Sequence, residues 1–394
     1  MNEISSKPRG LSATAVGAGL LAALVGYASS VAVVLHGLDA TGASPAQEIS
    51  GLAAVTFAMG LGGIWLSLKT RMPISVVWTT PGMALVAATP AIPGGYPAAL
   101  GAFLLTALLV VLSGLFRPLG RWTTAIPRPL SAAMLAGILL ELCLAPFQAL
   151  AQQPLAMLAI LLTWAVVGRL ARLFAVPAAL AVALVMVAVK SPVAALLPAG
   201  LWPHLLWTAP QFTWGAAIGI ALPLFIVTMA SQNIPGLAVL HGYDYHPPVP
   251  PLFWGTGLIS ALIAPLGGPT VNLAAITAAL CAGPEAGEDR ARRWQAAVTA
   301  GLAYMALAAL AALTVGLIAG VSPLLIEAVA GLALLAALGQ ALKAAVAEDA
   351  ARVPALVTFL VTASGFSALG IGPAFWGLVL GGALHLLFKL LPQR

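Results

Sequence analysis

The residues best equipped for chemistry are amide and hydroxyl side chains set inside an apolar run. Residues 227–243 read VTMASQNIPGLAVLHGY, so Ser231, Gln232 and Asn233 stand just ahead of Pro235 and Gly236 in a stretch otherwise fit to cross a membrane. Proline lacks an N–H and its ring clashes with the preceding turn. With glycine beside it, the pattern predicts a helix broken at 231–236. Polar side chains next to freed backbone groups at membrane depth make a binding site. The competing reading is that Gln232 and Asn233 only satisfy the carbonyls released by the kink.

Two further stretches repeat the theme. RMPISVVWTTPGMALVAA carries a β-branched run, Ile74, Ser75, Val76 and Val77, into Thr79-Thr80-Pro81-Gly82. A threonine cap followed by proline in the first turn starts a helix. APLGGPTVNLAAITAAL makes the same move at Gly267-Gly268-Pro269-Thr270, with Asn272 two residues on. Both predict a half-helix entered from extended backbone, the two N-termini facing each other near mid-membrane. Each N-terminus presents free N–H groups and about half a unit of positive charge, a pairing suited to a small anion. The backbone N–H groups of Gly82 and Thr270 are the expected contacts. The side chains of Thr79, Thr80, Thr270 and Asn272 either join them or cap only their own helices. Tyr27, with Ser29 and Ser30, either lines the same cavity or packs in the core.

Only two carboxylates fall well inside apolar segments, Glu141 and Glu327. A carboxylate at a membrane-helix centre costs roughly 2.5–3.5 kcal/mol, and burial raises its pKa toward the range a proton carrier needs. Glu141 falls past the middle of its segment and is preferred over Glu327, which lies about one turn from an end and can reach the interface. Protonation of a ligand would need neither. His36 and His241 occupy repeat-equivalent places at opposite membrane ends and read as interfacial hydrogen-bonders, His385 in the last span has no recognisable partner, and His241, Tyr243, Asp244, Tyr245 and His246 read as a solvated polar cluster with no metal-ligand spacing. Cys143 and Cys281 read as free buried thiols. No G-x-S-x-G with a partner histidine and no H-E-x-x-H occurs, so there is no catalytic set, no metal and no cofactor site, which argues against an intramembrane enzyme.

The elements holding these residues follow from composition. Of 394 residues, 61% are hydrophobic and 7% charged, and the mean hydropathy is +1.04. That is an all-α polytopic membrane protein lying in a lipid bilayer. Forty glycines and thirty prolines predict several short or broken helices. At about 20 residues per crossing, spans fall near 12–36, 50–68, 73–89, 98–116, 129–147, 154–170, 174–190, 213–241, 250–264, 268–283, 294–320, 323–343, 353–369 and 372–391. The first apolar run follows MNEISSKPRG without a small-residue cleavage site and reads as span one rather than a signal peptide. With a cytoplasmic N-terminus, every Lys and Arg except Lys190 falls on the cytoplasmic side, as the positive-inside rule expects. Both termini are then cytoplasmic. The net charge of +6 accordingly reports topology and not nucleic acid. The 196–214 loop, with Trp202, Trp207 and Trp214, would lie outside with its indoles at the interface.

Internal similarity adds a constraint. ASSVAVVLHG from Ala28 matches ASQNIPGLAVLHG from Ala230 after a three-residue gap. PLSAAMLAG from Pro129 aligns with PLLIEAVAG from Pro323, and VPAALAVALV from Val176 with GPAFWGLVLG from Gly372, at offsets of 194 and 196. Seven spans per half, an odd number, invert the second copy, giving repeats over 1–205 and 206–394. Inverted repeats point to alternating access. Half-helices in both copies without a ring of like charges argue against a channel.

The strings ASQNIPGLAVLHGY, TTPGMA and GGPTVNLAAITAAL resemble those of the benzoate:proton symporter family (BenE type), across essentially the whole chain. The resemblance implies a fold shared with nucleobase and sulfate-type anion transporters. It also implies a core domain of spans 1–4 and 8–11, a gate domain of spans 5–7 and 12–14, and substrate between the facing ends of spans three and ten. Benzoate or a similar aromatic carboxylate, carried inward with a proton, is the expected cargo. Another small anion or a nucleobase is the alternative. Related folds are often homodimers through their gate domains, which this sequence does not itself show. Nucleobase transporters of this fold place acidic residues on spans eight and ten, where this chain has Gln232, Asn233 and Asn272. An anionic substrate accounts for that substitution, because two carboxylates in low dielectric would force one to protonate.

Overall fold

A computed structural model describes residues 12–89, 94–116, 127–190, 202–368 and 371–391. Lys7, Arg9, Arg117, Arg121, Arg394 and the first part of the 196–214 loop, all used in the topology argument, lie outside the described residues. In chain order the elements are α1 (Ala13–Ala28), α2 (Val31–Ala40), α3 (Pro45–Thr70), β1 (Val76–Trp78), α4 (Thr80–Ala87) and α5 (Gly95–Leu115). They continue with α6 (Arg128–Gln152), α7 (Pro154–Leu170), α8 (Ala175–Lys190), α9 (Trp214–Gly242), α10 (Val249–Ile263) and β2 (Val271–Leu273). The chain ends with α11 (Ile276–Ala282), α12 (Trp294–Ala309), α13 (Ala311–Ala319), α14 (Pro323–Ala345), α15 (Arg352–Ala363) and α16 (Pro373–Leu390). The protein is therefore an all-helical polytopic membrane protein, with one short strand pair among the described residues.

Every segment read as a span holds helix. Among the described residues, eight helices are long and apolar enough to cross a membrane unaided, or nine if α12 and α13, bent by 61°, count as one span. The helix starts follow local chemistry. Ser44 and Gln47 form a reciprocal capping box ahead of Pro45 in α3, and Arg71 ends that helix with a left-handed φ of 55°. Ser29 and Ser30 interrupt the first span between α1 and α2, and both hydroxyls donate to Gly26 O.

The helices pack in two groups. α1, α3, α5, α10, α11 and α12 surround the strands, while α6, α14, α15 and α16 pack on one another. The groups meet where α2 packs on α14, α4 and α9 touch α6, and α9 touches α16. Residues 202–213 form a strap across the ends of α3 and α5. It is tied by Leu206 N to Ser50 Oγ (2.9 Å), Thr208 N to Pro265 O (2.8 Å) and Gln211 N to Pro97 O (2.9 Å). Trp202 and Trp207 on it and Trp214 at the start of α9 are exposed, as interfacial anchoring requires.

Candidate functional site

Extended backbone before α4 pairs with extended backbone before α11 to form the centre of the molecule. β1 and β2 are antiparallel, in register Val76↔Leu273, Val77↔Asn272 and Trp78↔Val271. The ladder is lengthened at its ends by Thr79 N donating to Thr270 O and Ala274 N to Ser75 O, both at 3.1 Å. Within an apolar bundle, this pairing satisfies backbone groups that lipid could not.

The first half-helix begins where the sequence predicts. Thr79 Oγ1 accepts the Gly82 N–H at 3.2 Å and pairs with the Thr228 hydroxyl of α9 at 3.0 Å. The Gly82 N–H is thus taken by its own cap and is not free for an anion. The second half-helix departs from expectation. Gly267, at φ 87°, closes a 3-10 turn, Pro269 and Thr270 stay extended, and helix begins only at Ile276. Thr270 is an arm residue and not a helix N-terminus, because β-branched Val271 pairs across the ladder with Trp78. The seven-residue α11 is too short to present a strong dipole end.

The predicted break at 231–236 is also corrected. α9 runs unbroken from Trp214 to Gly242 and absorbs its prolines in two π-turns, Ala217–Ala221 and Met229–Asn233, which precede Pro223 and Pro235. In each, the next N–H reaches back five residues, Leu222 to Ala217 O and Ile234 to Met229 O. The extra residue opens the ladder where proline has no donor and its ring needs room. Gly236 lets α9 approach the arm, since a Cβ there would lie 2.8 Å from Leu273 Cβ and 2.9 Å from Ala274 O.

The π-turn deals out its three polar side chains differently. Ser231 Oγ donates to Val227 O of its own helix at 2.6 Å. Asn233 is fully buried, and its Oδ1 accepts the Leu273 N–H at 2.9 Å, holding β2. Gln232 is half-buried and, among the described residues, makes no hydrogen bond. Thr80 is half-buried in the first turn of α4. Tyr27 packs in the core, its ring 5.3 Å from Trp78 and its hydroxyl donating to Thr314 Oγ1 at 3.1 Å.

The arm keeps two polar atoms unmatched. Asn272 Nδ2 donates to Leu273 O at 2.9 Å, but Asn272 Oδ1 and Thr270 Oγ1 are buried with no hydrogen-bond partner among the described residues. Each such orphan costs about 1–3 kcal/mol, and both lie on the arm that leads to α11.

The two candidate proton carriers are not brought together. Glu141 is exposed rather than buried at membrane depth. It lines an open cleft formed by the end of α4 (Leu85, Ala88, Thr89), Gly219 in the first π-turn, and Thr362 and Pro373. The cleft exists because helices distant in sequence splay apart there. Glu327 is half-buried one turn after Ser322, whose hydroxyl accepts from Gln153 Nε2 at 3.1 Å, and it does not line the cleft. His385 is half-buried, with Nδ1 enclosed and unpartnered.

Beyond the membrane-spanning part, α9 is pinned to the segment before α12. Arg290 pairs with Asp244 at 3.3 Å and donates to Tyr243 O (2.8 Å) and Asp244 O (2.9 Å). Burial raises the pKa of the Tyr245 phenol, against the opposing pull of Arg293 and Arg290. Arg293, only 7% exposed, donates from Nη1 to Ala282 O and from Nε to Gly287 O, both at 2.7 Å, closing the C-terminal end of α11. His241 and His246 are exposed with ring centroids 5.1 Å apart.

Several site residues were not singled out from the sequence. Thr228 meets Thr79, Trp78 Nε1 donates to Ser30 Oγ at 2.8 Å, and the Ser75 and Thr277 hydroxyls pair at 2.7 Å across the arm and α11. Tyr304, fully enclosed in α12 with an unpartnered hydroxyl, backs them. One signal was available for Thr228, which sits four residues before Gln232, a helical neighbour spacing.

Paired arms that each feed a short helix, inside a bundle of long apolar ones, define a polytopic membrane transporter. The fold is similar to the structure of SLC26A9, with a TM-score of 0.64 at 16% identity, over 95% of this chain and 65% of that one. The chain therefore spans just under two thirds of that protein's length. It belongs to the benzoate membrane transport protein family, BenE, whose profile matches residues 10–387. It is 38% identical over 385 residues to the inner membrane protein YdcO of Escherichia coli K12, covering 96% of each chain. It is 33% identical over 371 residues to the benzoate membrane transport protein of Acinetobacter baylyi, covering 92% of each.

Proposed function

We propose that this protein imports benzoate, or a similar aromatic carboxylate, together with a proton by alternating access. The observation that carries the reading is the pairing of β1 with β2, which sets the buried neutral side chains Thr79, Thr270 and Asn272 beside α9 in a chain of the BenE family. The Acinetobacter relative's name supports benzoate as cargo. The Escherichia coli relative's name supports an inner-membrane location. Gln232, whose side chain has no internal partner among the described residues, is the side chain best free to meet substrate, with the half-buried Thr80 at the start of α4 as a second contact.

The fourteen segments form two inverted repeats of seven, with both termini cytoplasmic. The helices around the strands act as the core and α6–α8 with α14–α16 as the gate, a division supported by how the two groups pack. Glu141, in the cleft between them, exchanges the coupled proton, and the gate is the surface through which a homodimer would form. The test is uptake of labelled benzoate into proteoliposomes under an inward proton gradient, against protein-free vesicles that report leak of the neutral acid. Saturable uptake above leak that vanishes when the gradient is collapsed supports the reading. Uptake equal to leak removes benzoate as the substrate.

A further inference from the structure

Strand geometry places Thr270 and Asn272, two residues apart, on one face of the arm, and the ladder sets Val77 opposite Asn272 and Thr79 next to Thr270. Thr79 Oγ1 is occupied by the Gly82 N–H and the Thr228 hydroxyl. The polar atoms left on that face are Asn272 Oδ1 and Thr270 Oγ1, in side chains 0% and 1% exposed. The amide orientation is fixed, because Asn272 Nδ2 is the end that donates to Leu273 O. The free atom is therefore an oxygen that can only accept, and the threonine hydroxyl beside it can donate.

We propose that the site takes its substrate as the neutral carboxylic acid, Asn272 Oδ1 accepting the acid O–H and the Thr270 hydroxyl donating to the acid C=O. This rests on the aromatic-carboxylate reading above. A carboxylic acid carries one donor and one acceptor, the complement of this pair, whereas a carboxylate has acceptors only and would face the Asn272 oxygen unfavourably. The charge environment agrees. β1, β2, α4, α10, α11 and the Met229–Asn233 turn contain no Lys, Arg, His, Asp or Glu. Of the elements packed on the arms, α3 carries Glu48 and Lys69 near its opposite ends, and Tyr27, Tyr304 and Cys281 are the uncharged titratable groups nearby. An unpaired carboxylate is costly in such a place. One proton therefore enters on each acid and returns to water on the far side, with Glu141 relaying it between the acid and water in the cleft rather than serving as a counter-charge.

The test is equilibrium binding to the purified full-length protein from about pH 5 to about pH 8, using benzoate, benzamide and benzenesulfonate. Benzamide is the neutral donor–acceptor mimic, and benzenesulfonate stays anionic. The expected result is a benzoate Kd, by total concentration, that weakens about tenfold per pH unit as the acid fraction falls. Benzamide should bind with a flat pH profile and benzenesulfonate should not bind. Asn272→Leu should lose benzamide. If that variant fails to fold, Thr270→Val should lose it while Thr270→Ser retains it. Flat benzoate affinity with benzenesulfonate bound and benzamide excluded means the anion is recognised, which overturns the inference and leaves the carboxylate reading standing. A pH slope that Glu48→Gln flattens puts the proton on the protein and also overturns it. Binding of neither benzoate nor benzamide at any pH removes the carboxylate reading itself.

Discussion

Asn233 Oδ1 accepts the Leu273 N–H at 2.9 Å, so one side chain in the second π-turn of α9 holds the arm that leads to α11. Truncating it leaves a fully buried backbone donor unmatched. Asn233→Ala is expected to destabilise the protein by about 1–3 kcal/mol, read as a lower midpoint in a thermal melt in detergent. A melt that matches wild type would mean the bond contributes nothing.

Gln232 gives the opposite expectation. Its amide touches no partner among the described residues, so Gln232→Ala should shift stability by no more than about 0.5 kcal/mol. If benzoate is the substrate, as proposed, the same variant should lose most of the thermal stabilisation expected from it. Full ligand-induced stabilisation in the variant would take Gln232 out of the site.

Arg293 spans two carbonyls with one guanidinium, and lysine cannot reproduce that fork. Arg293→Lys should cost about 1.5–3 kcal/mol and loosen the end of α11. Faster amide hydrogen exchange over residues 276–287 would report it. Exchange unchanged there would show that the charge alone suffices.

The proposed role of Glu141 in the cleft separates coupling from recognition. Glu141→Gln should reduce gradient-driven uptake by on the order of a hundredfold while benzoate binding at fixed pH stays near wild type. Undiminished uptake would assign the coupled proton elsewhere.

What the sequence revealed depended on how local the deciding physics was. Thr79 caps a helix three residues away and Pro81 fixes its first turn, so that start was readable from four letters. Gly267-Gly268-Pro269-Thr270 has the same local spelling, but its backbone pairs with residues nearly two hundred positions earlier, and long-range pairing overrode the cap. Pro235 and Gly236 correctly marked a disturbance in α9. Its form, a widened turn instead of a break, depends on where the Ile234 N–H lands, which residue type does not encode. Glu141 looked buried because its own segment is apolar, and the cleft that exposes it is made by four other elements.

The second π-turn bears on how α9 is read from the arms. A π-turn takes up one residue more than a regular turn, so the residues beyond it face roughly 100° away from where a regular helix would put them. Residues 234–242 therefore owe their facing direction to a miscount built into the backbone, with Gly236 turned to Leu273 because of it. Winding the same residues as a regular helix, with none removed, would swing Gly236 off the arm. Regularity in this span and function in this site are thus set against each other, one residue apart.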